Sequence, residues 1–356
     1  MDFSSFAKYF LGANSCEGFV SNFSDSYSVK KGERAYIIKG GPGTGKSSLM
    51  KFIAAECAKK GKKIELFPCS SDPDSLDGIK ILPEGTVFLD GTAPHIIEPA
   101  HPGICEEIIN PGSFWDGDYL YSHREEILEL MALNKAYHAQ ASRYIMAAGK
   151  LLKDNIALQR AHISTDKVHA FARSLSRKYL PEKKRKGSYT RRFLSGITPK
   201  GIIFYSSTLT KNINQHIILS DKYGAVSADI MEYLLNDAVK KGHRVIAVQS
   251  AFFPSTVTDH IIIPELSLAF CTENNYMHIV TDERRVHSRR FEDKSFKANR
   301  EKLRFNAKAA KELFHCACES LNNAKTVHDN LEEYYIKAMD FDALNLYARE
   351  ILKKII

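Results

Sequence analysis

The chain has 356 residues, 44% of them hydrophobic and 26% charged, with a formal charge of +8. This is the balance of a soluble protein too long for one ordinary core, so two domains are expected. No apolar run reaches the length of a membrane span, no export signal opens the chain, and seven cysteines form no disulfide framework, which points to a reducing cytoplasm without membrane insertion.

The opening stretch carries Phe3, Phe6, Tyr9, Phe10, Phe19, Phe23 and Tyr27, broken by polar residues in the manner of short strands. Val29 to Arg34 reads as a tight turn. Ala35 to Ile38 is an apolar run of buried-strand type, and Leu49, Phe52 and Ile53 follow at helical spacing. Between them Gly40, Gly41, Pro42, Gly43, Thr44, Gly45, Lys46, Ser47 and Ser48 contain G-x-x-x-x-G-K-[ST], the P-loop pattern. Strand, loop and helix in that order favour a nucleotide site over a ligand-free glycine turn. The glycines let successive N–H groups turn towards phosphate oxygens at the positive end of a helix. Lys46 is the residue type that reaches the β- and γ-phosphates, and the Ser47 hydroxyl is a ligand for Mg²⁺.

Ala58-Lys59-Lys60-Gly61 marks the helix end, and Lys63 to Cys69 reads as the second strand. An acidic loop, Ser71 to Gly78, precedes the apolar strand Thr86 to Asp90. Asp90 has the place of a carboxylate that holds Mg²⁺ beside Ser47. Asp72, Asp74 and Asp77 are candidates to polarise water or hold a substrate hydroxyl, with turn-forming chemistry as the competing account. His95, Glu98, His101, Cys105, Glu106 and Glu107 match no zinc spacing and read as a surface loop. From about Tyr119 to Tyr179 the pattern is helical, with a break near Ser164-Thr165-Asp166.

The same order of elements then returns. Phe10-Leu11 and Gly18 recur as Phe193-Leu194 and Gly201; Lys59-Lys60-Gly61, Pro73 and Pro83-Glu84 recur as Lys240-Lys241-Gly242, Pro254 and Pro264-Glu265 at a spacing two residues shorter. Two tandem copies are expected: a P-loop domain over 1–186 and a degenerate repeat over 187–356. In the second, Gly45, Lys46 and Ser47 correspond to Val226, Ser227 and Ala228, and Asp90 to Cys271. That half is expected not to hydrolyse ATP, because lysine clamp and metal ligand are both lost. The basic run Lys183 to Lys186 reads as a solvated linker, and Arg191 or Arg192 is a candidate to lean towards the γ-phosphate.

Gly-Gly-Pro-Gly-Thr-Gly-Lys-Ser-Ser-Leu, Ser-Asp-Pro-Asp-Ser-Leu-Asp-Gly and Asp-Gly-Thr-Ala-Pro-His together resemble an uncharacterised bacterial family of tandem-repeat P-loop ATPases. The resemblance implies ATP binding and hydrolysis. Lys31-Gly32-Glu33-Arg34 is also similar to the turn of the RecA and ABC branch, although no ABC signature is present. The expectation is therefore two α/β, RecA-like units with mainly parallel sheets, each followed by a helical segment. The first takes ATP and Mg²⁺ through Lys46, Ser47 and Asp90. Alternatives are a small-molecule kinase and a nucleotide-gated binding module for a protein or nucleic-acid partner. A duplicated chain is expected as a monomeric pseudo-dimer or a homodimer.

Overall fold

The computed structural model describes Phe3 and residues 6–355; Met1, Asp2, Ser4, Ser5 and Ile356 lie outside the described residues. The first half runs β1 (Ala7–Lys8), β2 (Gly12–Ser15), β3 (Gly18–Ser21), β4 (Ala35–Ile38), α1 (Lys46–Lys59), β5 (Lys63–Pro68), β6 (Leu76–Leu82), β7 (Thr86–Asp90) and β8 (Glu106–Ile109). Helices α2 (Gly117–Ser122), α3 (Arg124–Arg160) and α4 (Thr165–Tyr179) follow. The second half opens with β9 (Ser188–Arg192), β10 (Ser195–Thr198), β11 (Gly201–Phe204), α5 (Ser206–Asn212), β12 (Gln215–Ser220) and α6 (Ala225–Lys240). It continues with β13 (Arg244–Gln249), β14 (Thr258–Ile263), β15 (Leu268–Glu273), β16 (Arg285–His287), α7 (Arg300–Ala338) and α8 (Phe341–Ile355).

Each half builds one six-stranded mixed sheet, ordered β1-β5-β6-β7-β4-β8 and β9-β13-β14-β15-β12-β16. Three neighbouring pairs in each are parallel and two antiparallel. The two layouts are the same, strand for strand. The antiparallel pairs come from a strand that the sequence pattern hid. The acidic loop ends at Ser75, and Leu76–Leu82 forms β6 between β5 and β7. Its apolar alternation is broken by Asp77 and Lys80, both buried. Lys80 is answered by Glu33 at 3.1 Å and by the carbonyl oxygen of Ser26 at 2.9 Å, partners far away in the chain.

The ladders also correct the alignment of the copies. Ile38 pairs with Asp90 and Leu219 with Thr272, so Thr272 rather than Cys271 stands in the place of Asp90. Helices α1 and α6 begin directly after the left-handed residues Gly45 (φ 81°) and Gly224 (φ 98°). Ala225, not Ser227, therefore takes the position of Lys46. The glycine loop itself is two residues shorter in the second copy, and the longer helix α6, 16 residues against 14, restores the spacing at Lys240-Lys241-Gly242.

The inner faces of both sheets share one core that includes Leu11, Phe67 and Leu89 from the first half and Leu194, Val248 and Ile262 from the second. Equivalent residues meet at the centre: Phe10 N–H donates to Phe193 O at 2.8 Å, and Phe193 N–H returns the bond at 3.0 Å. The helical segments cross over. Ala348 and Ile351 of α8 pack with Leu49, Met50 and Ile53 of α1 on the outer face of the first sheet. Val168, Ala172 and Leu175 of α4 pack with Ile230, Met231 and Leu234 of α6 on the second. Helices α3 and α7, of 37 and 39 residues, run antiparallel, pinned by Asn134 Nδ2 to Ala324 O at 2.8 Å and Asn306 Nδ2 to Asn155 Oδ1 at 3.0 Å. Each sheet is thus closed by helices that follow the other one. Among the described residues no helix is long and apolar enough to cross a membrane.

Candidate functional site

The sequence from β4 into α1 forms the floor of a cleft of 680 Å³ at the ends of β4 and β7. Residues Gly40 to Ser48, including Pro42 and Ser48, all line it, together with Asp72 and Asp90. Thr44, fully buried, ties the loop by donating from Oγ1 to Gly41 O at 2.8 Å. Two glycines are demanded by contact with α7. A Cβ on Gly41 would lie 2.5 Å from the Tyr335 ring, and one on Gly43 would lie 2.7 Å from the backbone oxygen of Glu332.

The predicted chemical groups converge. Lys46 Nζ donates to Gly40 O at 2.9 Å and Gly41 O at 2.6 Å, and lies 3.7 Å from Asp90 Oδ2. Ser47 Oγ accepts from Leu76 N–H at 3.0 Å. Asp90 Oδ1 accepts from Thr92 N–H at 2.9 Å, which fixes the carboxylate at the strand end. Asp72 lines the cleft, accepting from Ser75 Oγ at 2.8 Å and lying 3.7 Å from Lys325 Nζ. Asp74 points elsewhere: it is exposed, bonded to the Lys200 ammonium, and held below the usual carboxylate range chiefly by that bond.

The opposite wall comes from the crossed helices, which the sequence did not connect with the loop. His138 of α3 and Lys325, His328 and Glu332 of α7 face the glycine loop. Glu332 Oε1 accepts from Gly43 N–H at 3.1 Å and lies 3.4 Å from His328 Nε2. The His328 contact leads in holding its carboxyl below the usual range, with the Gly43 bond assisting. A carboxylate therefore already sits on a backbone donor of the kind that P-loops turn towards phosphate. His138 is shifted down, first by burial and then by His328.

A third group lies at the β6 end of the cleft. Asp77 and His95 are buried there, with Asp77 Oδ2 3.3 Å from His95 Nε2. His95 belongs to the segment read as a surface loop, yet its ring stacks on Phe23 at 4.4 Å because His95 N–H bonds back to Thr92 O at 2.8 Å. Cys69 adjoins them, its thiol pushed well up by burial and then by the Asp77 charge. Further along, His101, Cys105 and Glu106 place ligand atoms within 4.8 Å of one another. Glu106 is already engaged by the Tyr27 hydroxyl at 2.6 Å and by His101 N–H.

The second half answers its own loop differently. Asp221 Oδ2 accepts from Ser227 N–H at 2.8 Å, and Gln159 of α3 bonds Asp221 Oδ1 at 2.8 Å and Ala225 N–H at 2.9 Å. The N-terminal amides of α6 are thus taken by side chains built into the fold. Arg191 grips Asp25 through Nε at 2.8 Å and Nη2 at 2.9 Å, and Arg192 donates to Asp25 O at 3.1 Å. Neither arginine reaches the cleft. Compared with family models, curated proteins and solved structures, the chain has no significant match.

Proposed function

We propose that the first half binds ATP with Mg²⁺ in this cleft and hydrolyses it, as a P-loop ATPase unit of RecA-like type, while the second half is catalytically inert. The observation that carries the reading is the convergence of Lys46, Ser47 and Asp90 in one cleft at the ends of β4 and β7, at the N-terminus of α1. The donor set fits the ligand: backbone N–H groups and an ammonium for phosphate, and a hydroxyl and a carboxylate for a hard cation. Bound Mg²⁺, held by Ser47 and Asp90, would balance charge on the β- and γ-phosphates. Lys46 would exchange its carbonyl partners for the phosphoryl oxygens and stabilise the charge that builds up during transfer. The inert half lacks a lysine at Ala225 and a carboxylate at Thr272, and its loop amides are occupied by Asp221 and Gln159. Calorimetric titration of the full chain with MgATP is expected to give one site per chain. No heat and no phosphate release would end the reading, and two equivalent sites would refute the inert half.

The Glu332 contact favours a second reading, a nucleotide-gated binding module. Phosphate arriving at Gly43 must displace a carboxylate carried by α7, so occupancy couples to the helices that close both sheets. Glu332→Gln keeps the shape and removes the competing charge, and is expected to tighten MgATP binding about tenfold. Calorimetry on the variant checks the affinity. Hydrogen exchange along α7, with and without nucleotide, reports whether the helix is released.

A further inference from the structure

We propose that the Asp77 carboxylate, oriented by His95, takes the proton from the water that attacks the terminal phosphate of a nucleotide bound at Lys46. The proposal rests on the nucleotide reading and supplies the base that sequence patterns left open among three aspartates. Register places the group. The β6–β7 ladder ends with Gly78 opposite Leu89, and Asp77 follows as the extra residue of a β-bulge against β5, with its side chain on the wall of the same cleft as Asp90. Leu76, one residue earlier, donates its N–H to Ser47 Oγ at 3.0 Å. Asp77 therefore lines the same cleft as both residues assigned to the metal.

The other carboxylates are committed. Asp90 is held by Thr92 and faces Lys46, Asp72 is held by Ser75 and faces Lys325, and Asp74 bonds Lys200 outside the cleft. Asp77 Oδ2 lies 3.3 Å from His95 Nε2 without hydrogen-bond geometry, the Cys69 thiol also bonds Asp77, and His95 Nδ1 is a buried nitrogen with no hydrogen-bond partner. Buried polar atoms without a hydrogen bond are costly and call for a function or a water. Here two of them lie on the wall of one cleft, and the imidazole is clamped by Phe23 so that Nε2 stays beside the carboxylate. The second half offers an internal contrast. Asp259 stands in the place of Asp77, since His260 pairs with Cys271 as Gly78 pairs with Leu89, but its side chain is met by Ser250 where Asp77 has His95.

In the step, the water oxygen bonds to the γ-phosphorus while the bond from that phosphorus to the β–γ bridging oxygen breaks. The electron pair leaves with the nucleoside diphosphate. The water proton passes to Asp77 and from there to released phosphate or solvent. His95 is a positioning residue in this scheme and touches neither phosphate nor metal.

The test uses the full chain. In Asp77→Asn, MgATP turnover is expected to fall roughly 10²-fold or more, with the Kd of a non-hydrolysable ATP analogue within about twofold of wild type. His95→Gln is expected to lower kcat about tenfold at unchanged KM, and adding it to Asp77→Asn is expected to cost nothing further, because the two act as one unit. Wild-type turnover in Asp77→Asn overturns the proposal while leaving nucleotide binding intact, and so does full additivity of the pair. If Asp77→Asn does not fold, unchanged kcat in His95→Gln overturns it instead. Absence of MgATP binding by the unaltered protein removes the nucleotide reading itself, a result that the variants cannot produce.

Discussion

Lys46→Ala is expected to reduce ATP turnover by roughly 10²–10³-fold, the loss found when one preorganised donor to a developing negative charge is removed. The ammonium is more than a counter-charge at this site. It is held by Gly40 O and Gly41 O, 3.7 Å from Asp90, and its side chain is 12% exposed, so it acts in a region screened from water. The alanine variant keeps α1, because Lys46 is the first residue of that helix and its packing belongs to Leu49, Met50 and Ile53. Phosphate release over a range of MgATP concentrations, with circular dichroism as a check on folding, measures the effect. Equal turnover in the variant would remove Lys46 from the chemistry.

The second large effect concerns stability and lies in the second half. Burial pushes Asp259 up from the usual 3.8 to about 7, with a Ser250 hydrogen bond opposing the shift. The folded state holds this proton more tightly than the unfolded chain. Asp259 is therefore harmless below the unfolded pKa, and stability is lost as pH rises through the window from about 4 to 7. The full loss above that window is about 4 kcal/mol, from the size of the shift. Asp259→Asn, which needs no ionisation, is expected to be more stable than wild type by up to that amount at pH 8 and nearly equal to it at pH 4. Urea unfolding at the two pH values checks it. His260, held neutral by burial down to about 3, is the same in both proteins and cancels from the difference. A gain that does not vary with pH would show that packing, rather than proton linkage, sets the stability at this position.

These two residues separate what local pattern can reveal from what it cannot. Lys46 was visible because the G-x-x-x-x-G-K-[ST] pattern lies in consecutive residues, and the apolar run before it and helical spacing after it gave the context. The long helices, the turn at Gly32 and the tandem repeat were visible for the same reason: each rests on periodicity or local backbone preference. Strand β6 was not visible, since Asp77 and Lys80 interrupt its apolar pattern and find His95 and Glu33 only after folding. The alignment of the copies slipped by one residue at Asp90 because identical Pro-Glu pairs fixed it, whereas hydrogen-bond register follows strand geometry.

By itself the amino-acid order determined the glycine loop, its lysine and serine, the carboxylate at the end of β7 and the existence of two copies. All of these are contiguous or periodic features. Only the tertiary structure decided that α7 of one copy roofs the loop of the other, that Glu332 rests on Gly43, that Asp74 and Arg191 lie outside the cleft, and that Asp77 and His95 lie within it. The physical reason is that long-range pairing is selected by burial and charge compensation between segments hundreds of residues apart, which no local window contains.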